Sequence, residues 1–314
     1  MNQLMEQASA VVQHGRGLTE AQREMRRTGI GGSEIAAVLG EATRTTDDGA
    51  IRTGFDVWLD KRSPMERIDS VDAQRGIYLE PSVVDWYMAR TGHQRGHVLG
   101  TVRHAQHSWA LCTPDALAIK PDGQARLVSV KCPRHSYEWG FDGTDDVPKD
   151  YYLQLQWEHA VCSSFMVDGA LDATLDLAAL VAGELRVYRF QADPELQGWM
   201  LEDAGAWWER HMVRGETPPL DASAGCRHYL KKKWKPTAPV REASPAEEML
   251  LAELKAAREE QQAAADRYDV VRRRVEAAIQ DADGLSCSFG VVTWKARIDG
   301  VRVFDQRWKK EKAR

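Results

Sequence analysis

The sequence predicts an α/β fold: a central mixed sheet flanked by helices, followed by a long helix and a β-hairpin. Three observations predict it. Short apolar runs bounded by turn residues read as strands at 111–116, 126–133, 173–180 and 185–190. Stretches with helical spacing of apolar residues surround them. A separate C-terminal run opens on Ser244-Pro245-Ala246-Glu247, a capping box with proline at the first helical position. The 314 residues suffice for a core of about 200 residues plus an appendage. The organisation expected is a core domain over 1–220, a linker over 221–243 and a helical and hairpin appendage over 244–314.

With 43% hydrophobic and 28% charged residues, the chain reads as an ordinary soluble protein. A net charge of −5 excludes a uniformly basic body, so any nucleic-acid path must be a local basic groove. Five scattered cysteines without a CxxC pair argue against a zinc ribbon or a four-cysteine cluster. Their odd number and the absence of a signal peptide lead us to expect a cytoplasmic protein. No apolar run reaches membrane-spanning length, so no membrane partner is expected.

Residues 1–13 read as helical, and His14-Gly15-Arg16-Gly17 breaks them. Thr19 caps a second helix running through Arg27. The segment from Arg26 to Gly40 is a glycine-rich turn leading into an apolar helix, with Ser33 near its start. Free N–H groups there suit a phosphate, and Arg26 adds a fork-shaped partner. The same residues also read as a plain Ser-capped helix after a glycine turn. A polar loop over 41–53 follows. A helix then opens at Gly76-Ile77-Tyr78-Leu79-Glu80-Pro81 and runs to about Arg90, with Glu80 in its first turn, where an acid also suits the helix dipole.

The chemistry-bearing stretch is Leu111-Cys112-Thr113-Pro114-Asp115-Ala116, joined by a turn at Lys120-Pro121-Asp122-Gly123 to Arg126-Leu127-Val128-Ser129-Val130-Lys131-Cys132-Pro133. It places an acid, Asp115, and a lysine, Lys131, at the facing ends of paired strands. That pairing suits metal-assisted phosphodiester hydrolysis: the carboxylate holds a hard cation, and the ammonium stabilises phosphate charge or orients the attacking water. A helix over 150–162 puts Gln154 and Glu158 on one face. A further helix over 194–213 carries Trp199, Trp207 and Trp208, which read as core. Pro218-Pro219 ends the domain. In the linker, the segment 227–235 interleaves basic and aromatic residues, which suits a nucleic-acid strand or a solvated tether. The capped helix then runs to about Asp281 with a seam of roughly coiled-coil spacing. Segments 289–297 and 301–306 form the hairpin, joined at Ile298-Asp299-Gly300. A charged tail, 309–314, closes the chain.

Asp115 and Lys131 are similar to the catalytic pair of the PD-(D/E)XK nuclease core, a restriction-endonuclease-like fold. Four motifs stand in order: Arg26 to Ser33, Gly76 to Glu80, Pro114-Asp115 to Lys131, and Tyr151 to Gln154. Together they resemble the YqaJ-like viral recombinase (phage lambda exonuclease) family over residues 20–220. The resemblance implies an exonuclease dependent on Mg²⁺, with Mn²⁺ as a substitute. It also implies 5′-to-3′ action on linear duplex DNA, leaving 3′ single strands for a single-strand annealing recombinase. A ring-shaped homotrimer is implied as well. By motif, Asp115 and the Val130 carbonyl bind the metal and Lys131 acts on the attacking water. Glu80 and Gln154 line the site, and Arg26, Ser33 and Thr113 hold the terminal 5′ phosphate.

Ser129 departs from the pattern, because the family places its second metal-binding acid there. Some restriction endonucleases carry a Ser-x-Lys version with the glutamate moved to a neighbouring helix. Glu158, one turn after Gln154, is the candidate for that migrated carboxylate, and it also reads as a surface glutamate. Two alternatives stand beside the exonuclease reading: a weak or inactive paralogue that binds DNA ends, and a structure-specific or nicking endonuclease.

Overall fold

The computed structural model describes residues 19–308 apart from 44, 46–49, 64–70, 98, 137 and 168. The expected helix over 1–13 and the tail over 309–314 lie outside the described residues. The chain divides into two compact units, Met1–Lys235 and Pro236–Arg314.

The first unit is built on a mixed sheet. Its strands are β1 (Gln94–Arg95), β4 (Ala116–Ile119), β5 (Ala125–Lys131), β6 (Thr174–Val181) and β7 (Glu184–Gln191), in the order β1-β4-β5-β6-β7. The β5–β6 pair is parallel and the others are antiparallel. A parallel neighbour requires a crossover, and helix α5 (Lys149–Ser163) supplies it. Alternation along β5 decides what faces what. Val128 and Val130 pack with Val83, Val84 and Tyr87 of helix α4 (Val71–Thr91) on one face. Leu127 packs with Leu153, Trp157 and Val161 of α5 on the other. Ser129 and Lys131 share Leu127's parity, so the strand turns them toward α5.

The expected strand over 111–116 is two strands. Leu111–Cys112 (β3) pairs with Val102–Arg103 (β2) in a small separate ladder, and β4 begins only at Ala116. Pro114 has no N–H for a ladder, so the chain breaks there and Asp115 emerges at the break. Helix α4 begins at Val71, not Gly76, and continues through Pro81. Gly76 and Pro81 mimic a helix start, but both are interior, so Glu80 lies in mid-helix rather than in a first turn.

Other elements follow local chemistry. Thr19 caps α1 (Glu20–Arg27), accepting from the Gln22 N–H at 3.2 Å while the Gln22 side chain accepts from Thr19 N–H at 2.8 Å. The glycine-rich turn becomes a single 3-10 turn, Gly32–Glu34, followed by one α turn, α2 (Ile35–Val38). So short a helix adds little dipole to an anion site. Helix α3 (Gly54–Arg62), absent from the sequence reading, buries Phe55, Val57 and Trp58. Helix α6 (Pro194–Trp208) is capped by Asp193 and buries Met200 and Ala204. Trp207 and Trp208 pack on the core, but Trp199 is exposed.

The segment expected as linker contains helix α7 (Ala224–Lys233), capped by Ser223. Its Cys226, Tyr229 and Leu230 share one face and pack on Phe55 and Trp58, with the Tyr229 and Trp58 rings 5.3 Å apart. The basic residues hid an amphipathic face that needed α3 for a partner.

The second unit holds helix α8 (Pro245–Ile279), whose start is the predicted capping box, and a three-stranded antiparallel sheet. The predicted hairpin is β9 (Gly290–Ala296) with β10 (Arg302–Trp308), and β8 (Gly284–Cys287) adds a third strand. Among the described residues no helix is long and apolar enough to cross a membrane.

Candidate active site

Arg26, Ser33, Thr113, Asp115, Gln154 and Glu158 line one cleft of about 70 Å³ at the break between β3 and β4. Residues separated by 132 positions in the sequence are thus brought together, and every predicted site residue lies in the cleft or against it.

Asp115 is the hub. Its Oδ2 accepts from the Val130 N–H at 2.6 Å and from the Ser129 hydroxyl at 3.1 Å, and the Lys131 ammonium stands 3.5 Å away. Lys131 also donates to Ser129 Oγ at 2.9 Å and lies 5.4 Å from the centre of the Tyr151 ring. Ser129 therefore relays between the lysine and the acid, a role for its hydroxyl that the sequence did not suggest. Burial pushes the Lys131 ammonium down, but Asp115, Glu158, Tyr151 and Glu80 together hold it above the ordinary lysine range. Lysine remains charged there.

Glu158 is not a surface residue; it is 2% exposed. Gln154 donates to its Oε1 at 2.6 Å, and among the described residues its buried Oε2 has no hydrogen-bond partner. Burial, then the like charge of Asp115, pushes the Glu158 carboxyl up to about 7, against the pull of Lys131. Glu80 is pushed to about 7 for the same two reasons. Three acids crowd one lysine, and the site is short of positive charge. Glu80 approaches Asp115 and Lys131 from α4, outside the set that lines the cleft.

Arg26 donates to the Ser33 hydroxyl at 2.8 Å, and Thr113 shares a hydrogen bond with Thr101 at 2.9 Å. These three, the residues expected to hold a terminal phosphate, line the same cleft. The turn that presents them is held by residues the sequence reading missed. Glu34 Oε2 accepts from the Gly31 N–H at 2.9 Å and from Lys61 at 2.7 Å, and Arg52 stands 3.5 Å from Oε1. Lys61 also donates to the Arg26 carbonyl at 2.6 Å. Burial alone would raise the Glu34 carboxyl, but Lys61, Arg52 and Arg26 bring it down to about 2. The Gly31 to Glu34 spacing was a legible sign of local capping; Lys61 and Arg52 come from α3 and the loop before it and had no local signal. Gly32 is required by contact, since a Cβ there would sit 2.9 Å from Glu158 Oε1 and 3.1 Å from Gln154 Cγ.

Residues 23–164 match the family model of the YqaJ-like viral recombinase domain, an interval that contains every residue of this site. Over that interval the chain is similar to this domain. The uncharacterized protein YqaJ of Bacillus subtilis (strain 168) is 26% identical over 217 residues, 68% of this chain. The chain spans 62% of the length of that curated relative. Among solved structures, the chain is similar to LHK-Exo in complex with dAMP (TM-score 0.49, 18% identity, covering 68% of this chain and 97% of that chain). LHK-Exo is an alkaline exonuclease from Laribacter hongkongensis. This chain is also similar to a phage related exonuclease from Haemophilus somnus 129PT (TM-score 0.41, 13% identity, covering 60% of this chain and 96% of that chain).

Proposed function

We propose that this chain is a divalent-metal-dependent deoxyribonuclease that removes nucleotides from the 5′ ends of linear duplex DNA. The observation that carries the reading is the buried, unpartnered Oε2 of Glu158 in the same cleft as Asp115. Among the described residues no group of three or more His, Cys, Asp or Glu side chains is disposed to hold a metal. Two carboxylates are still an adequate protein share for Mg²⁺, which keeps waters and takes further oxygens from a substrate phosphate. Asp115, Glu158 and the Val130 carbonyl would hold the ion, with Glu158 standing in for the acid that Ser129 lacks. When bound, Mg²⁺ (or Mn²⁺) supplies Lewis-acid activation and neutralises phosphate charge.

The chain's own groups do the rest. Gln154 fixes one oxygen of Glu158 and so aims the other. Lys131 orients the attacking water and stabilises the negative charge that develops on phosphate. Glu80 biases that water from the α4 side. Arg26, Ser33 and Thr113 bind the 5′-terminal phosphate, which sets the distance from the DNA end to the scissile bond. The product is a 3′ single strand, the substrate class of a single-strand annealing protein.

The test is degradation of linear against covalently closed circular duplex DNA, each in Mg²⁺ and in EDTA. Loss of linear DNA in Mg²⁺ alone, with circles intact, is the expected result. Nicked circles would favour an endonuclease. Bound but uncut ends would favour an inactive paralogue, the reading that Ser129 invites.

A further inference from the structure

Within the second unit, helix α8 carries an apolar seam that the unit's own described residues leave uncovered. From Leu250 to Ala278, every position reached by alternating steps of four and three residues is apolar except Gln261. That is a strict heptad repeat over four heptads. Leu250 and Leu254 are 64% and 67% exposed, and Tyr268 and Val271 are 46% and 50% exposed. The sheet of the second unit does not occupy this face. It packs beside it, with Arg272 over the Phe304 ring at 4.6 Å and Arg302 donating to the Gln280 and Ala282 carbonyls.

The residues flanking the seam identify its occupant. The position just before each of the second, fourth, sixth and eighth seam residues is charged: Glu253, Glu260, Arg267 and Arg274 in turn. The N-terminal half of this flank is acidic and the C-terminal half basic. All four side chains are exposed, and among the described residues none forms an ion pair within the chain. Laid antiparallel on a second copy, the helix sets Leu254 opposite Val271, and the bulky Tyr268 opposite the small Ala257. In that register Glu253 meets Arg274 and Glu260 meets Arg267, each twice by symmetry. On the other flank Arg258 meets Ala265 and Arg272 meets Leu251, so no like charges face one another. A parallel pair is poorer. It brings Glu253 to Arg258 but sets Arg267 against Arg272, a repulsive contact in each strand.

We propose that α8 pairs antiparallel with α8 of a second copy of this chain, as a two-stranded coiled coil that joins two protomers. The test is the mass of the full-length chain by sedimentation equilibrium, with circular dichroism to confirm unchanged helix content. The double variants E253R/E260R and R267E/R274E should each halve the mass of the assembly. An equimolar mixture of the two should restore it, and so should all four substitutions in one chain. Parallel pairing predicts the opposite for R267E/R274E, which would remove the Arg267–Arg272 repulsion and strengthen association. A mass unmoved by either double variant, or raised by R267E/R274E, overturns the proposal.

Discussion

Two buried glutamates abut the same glycine-rich turn and behave in opposite ways. Glu34 and Glu158 are 6% and 2% exposed, and burial pushes both carboxyls up. Glu34 nevertheless ends near 2 and Glu158 near 7. The difference is counter-charge. Glu34 has Lys61 and Arg52 within ion-pair distance, whereas Glu158 has Asp115 as its strongest charged neighbour and one oxygen with no partner. The protein pairs the first acid directly with cations, whereas Lys131 and Arg26 act on the second only weakly against burial and Asp115. On the proposed reading, that contrast separates a structural ion pair from an acid that would take a dissociable cation.

The sharpest break in the comparison is chemical. Asp115→Ala should slow degradation of linear duplex by about a hundredfold or more, the scale for removing a preorganised electrostatic group. Glu158→Ala should cost a comparable factor, whereas Glu34→Gln should retain cleavage chemistry in single-turnover assays at saturating DNA. Adding Ser129→Glu to Glu158→Ala should recover part of the loss, because the acid returns to the strand beside Asp115. A fully active Glu158→Ala would show that the cation is held elsewhere and would shift attention to Glu80.

Stability should divide the pair with opposite signs. Glu34 has a lowered carboxyl, so its contribution is present above about 4.5 and is lost as pH falls toward 2; a shift of that size is worth about 3 kcal/mol. Glu34→Gln should lower the melting temperature at pH 7, because Lys61 is left buried without its partner, and should flatten the acid limb. Glu158 has a raised carboxyl, so the metal-free fold loses stability as pH climbs from about 4.5 through 7. Glu158→Gln should raise the melting temperature at pH 8 in EDTA by a few degrees and abolish the protection that Mg²⁺ gives the parent. Calorimetry with and without Mg²⁺ checks both; a parent that Mg²⁺ does not stabilise at pH 8 contradicts the site.

Gly32→Ala probes the close approach of the glycine turn to Glu158. Its Cβ would press on Glu158 Oε1 and Gln154, so activity should fall about tenfold by displacement of a ligand, the scale of losing a supporting contact. The smallest effect concerns the rim. Arg26→Ala should reduce the preference for 5′-phosphorylated over 5′-hydroxyl ends by about tenfold, one charge-assisted contact's worth. An unchanged ratio would place the terminal phosphate away from Arg26.

What the sequence determined by itself was local. Short apolar runs and the Lys120 to Gly123 turn were enough to expect a strand pair that brings Asp115 beside Lys131, although the first strand was expected over 111–116 and β4 begins only at Ala116. The box at Thr19 was legible because its bonding partners lie within four residues, and so was the box at Ser244. The i,i+4 spacing of Gln154 and Glu158 placed them on one face. Tertiary structure decided the rest. Nothing in the spacing of Glu158 said whether its face was buried, and nothing near Glu34 announced Lys61, 27 residues away, as its counter-ion. The segment 227–235 read as a nucleic-acid-binding stretch or a solvated tether until α3 offered an aromatic face for Tyr229 and Leu230. Gly76 and Pro81 read as a helix start until packing of Val83, Val84 and Tyr87 on the sheet carried α4 through them. Backbone periodicity and capping depend on neighbours in the chain, so sequence records them. Burial and counter-charge are properties of neighbours in space. They separate the paired Glu34 from the unpaired Glu158, and they exist only once the sheet and its helices have closed around the cleft.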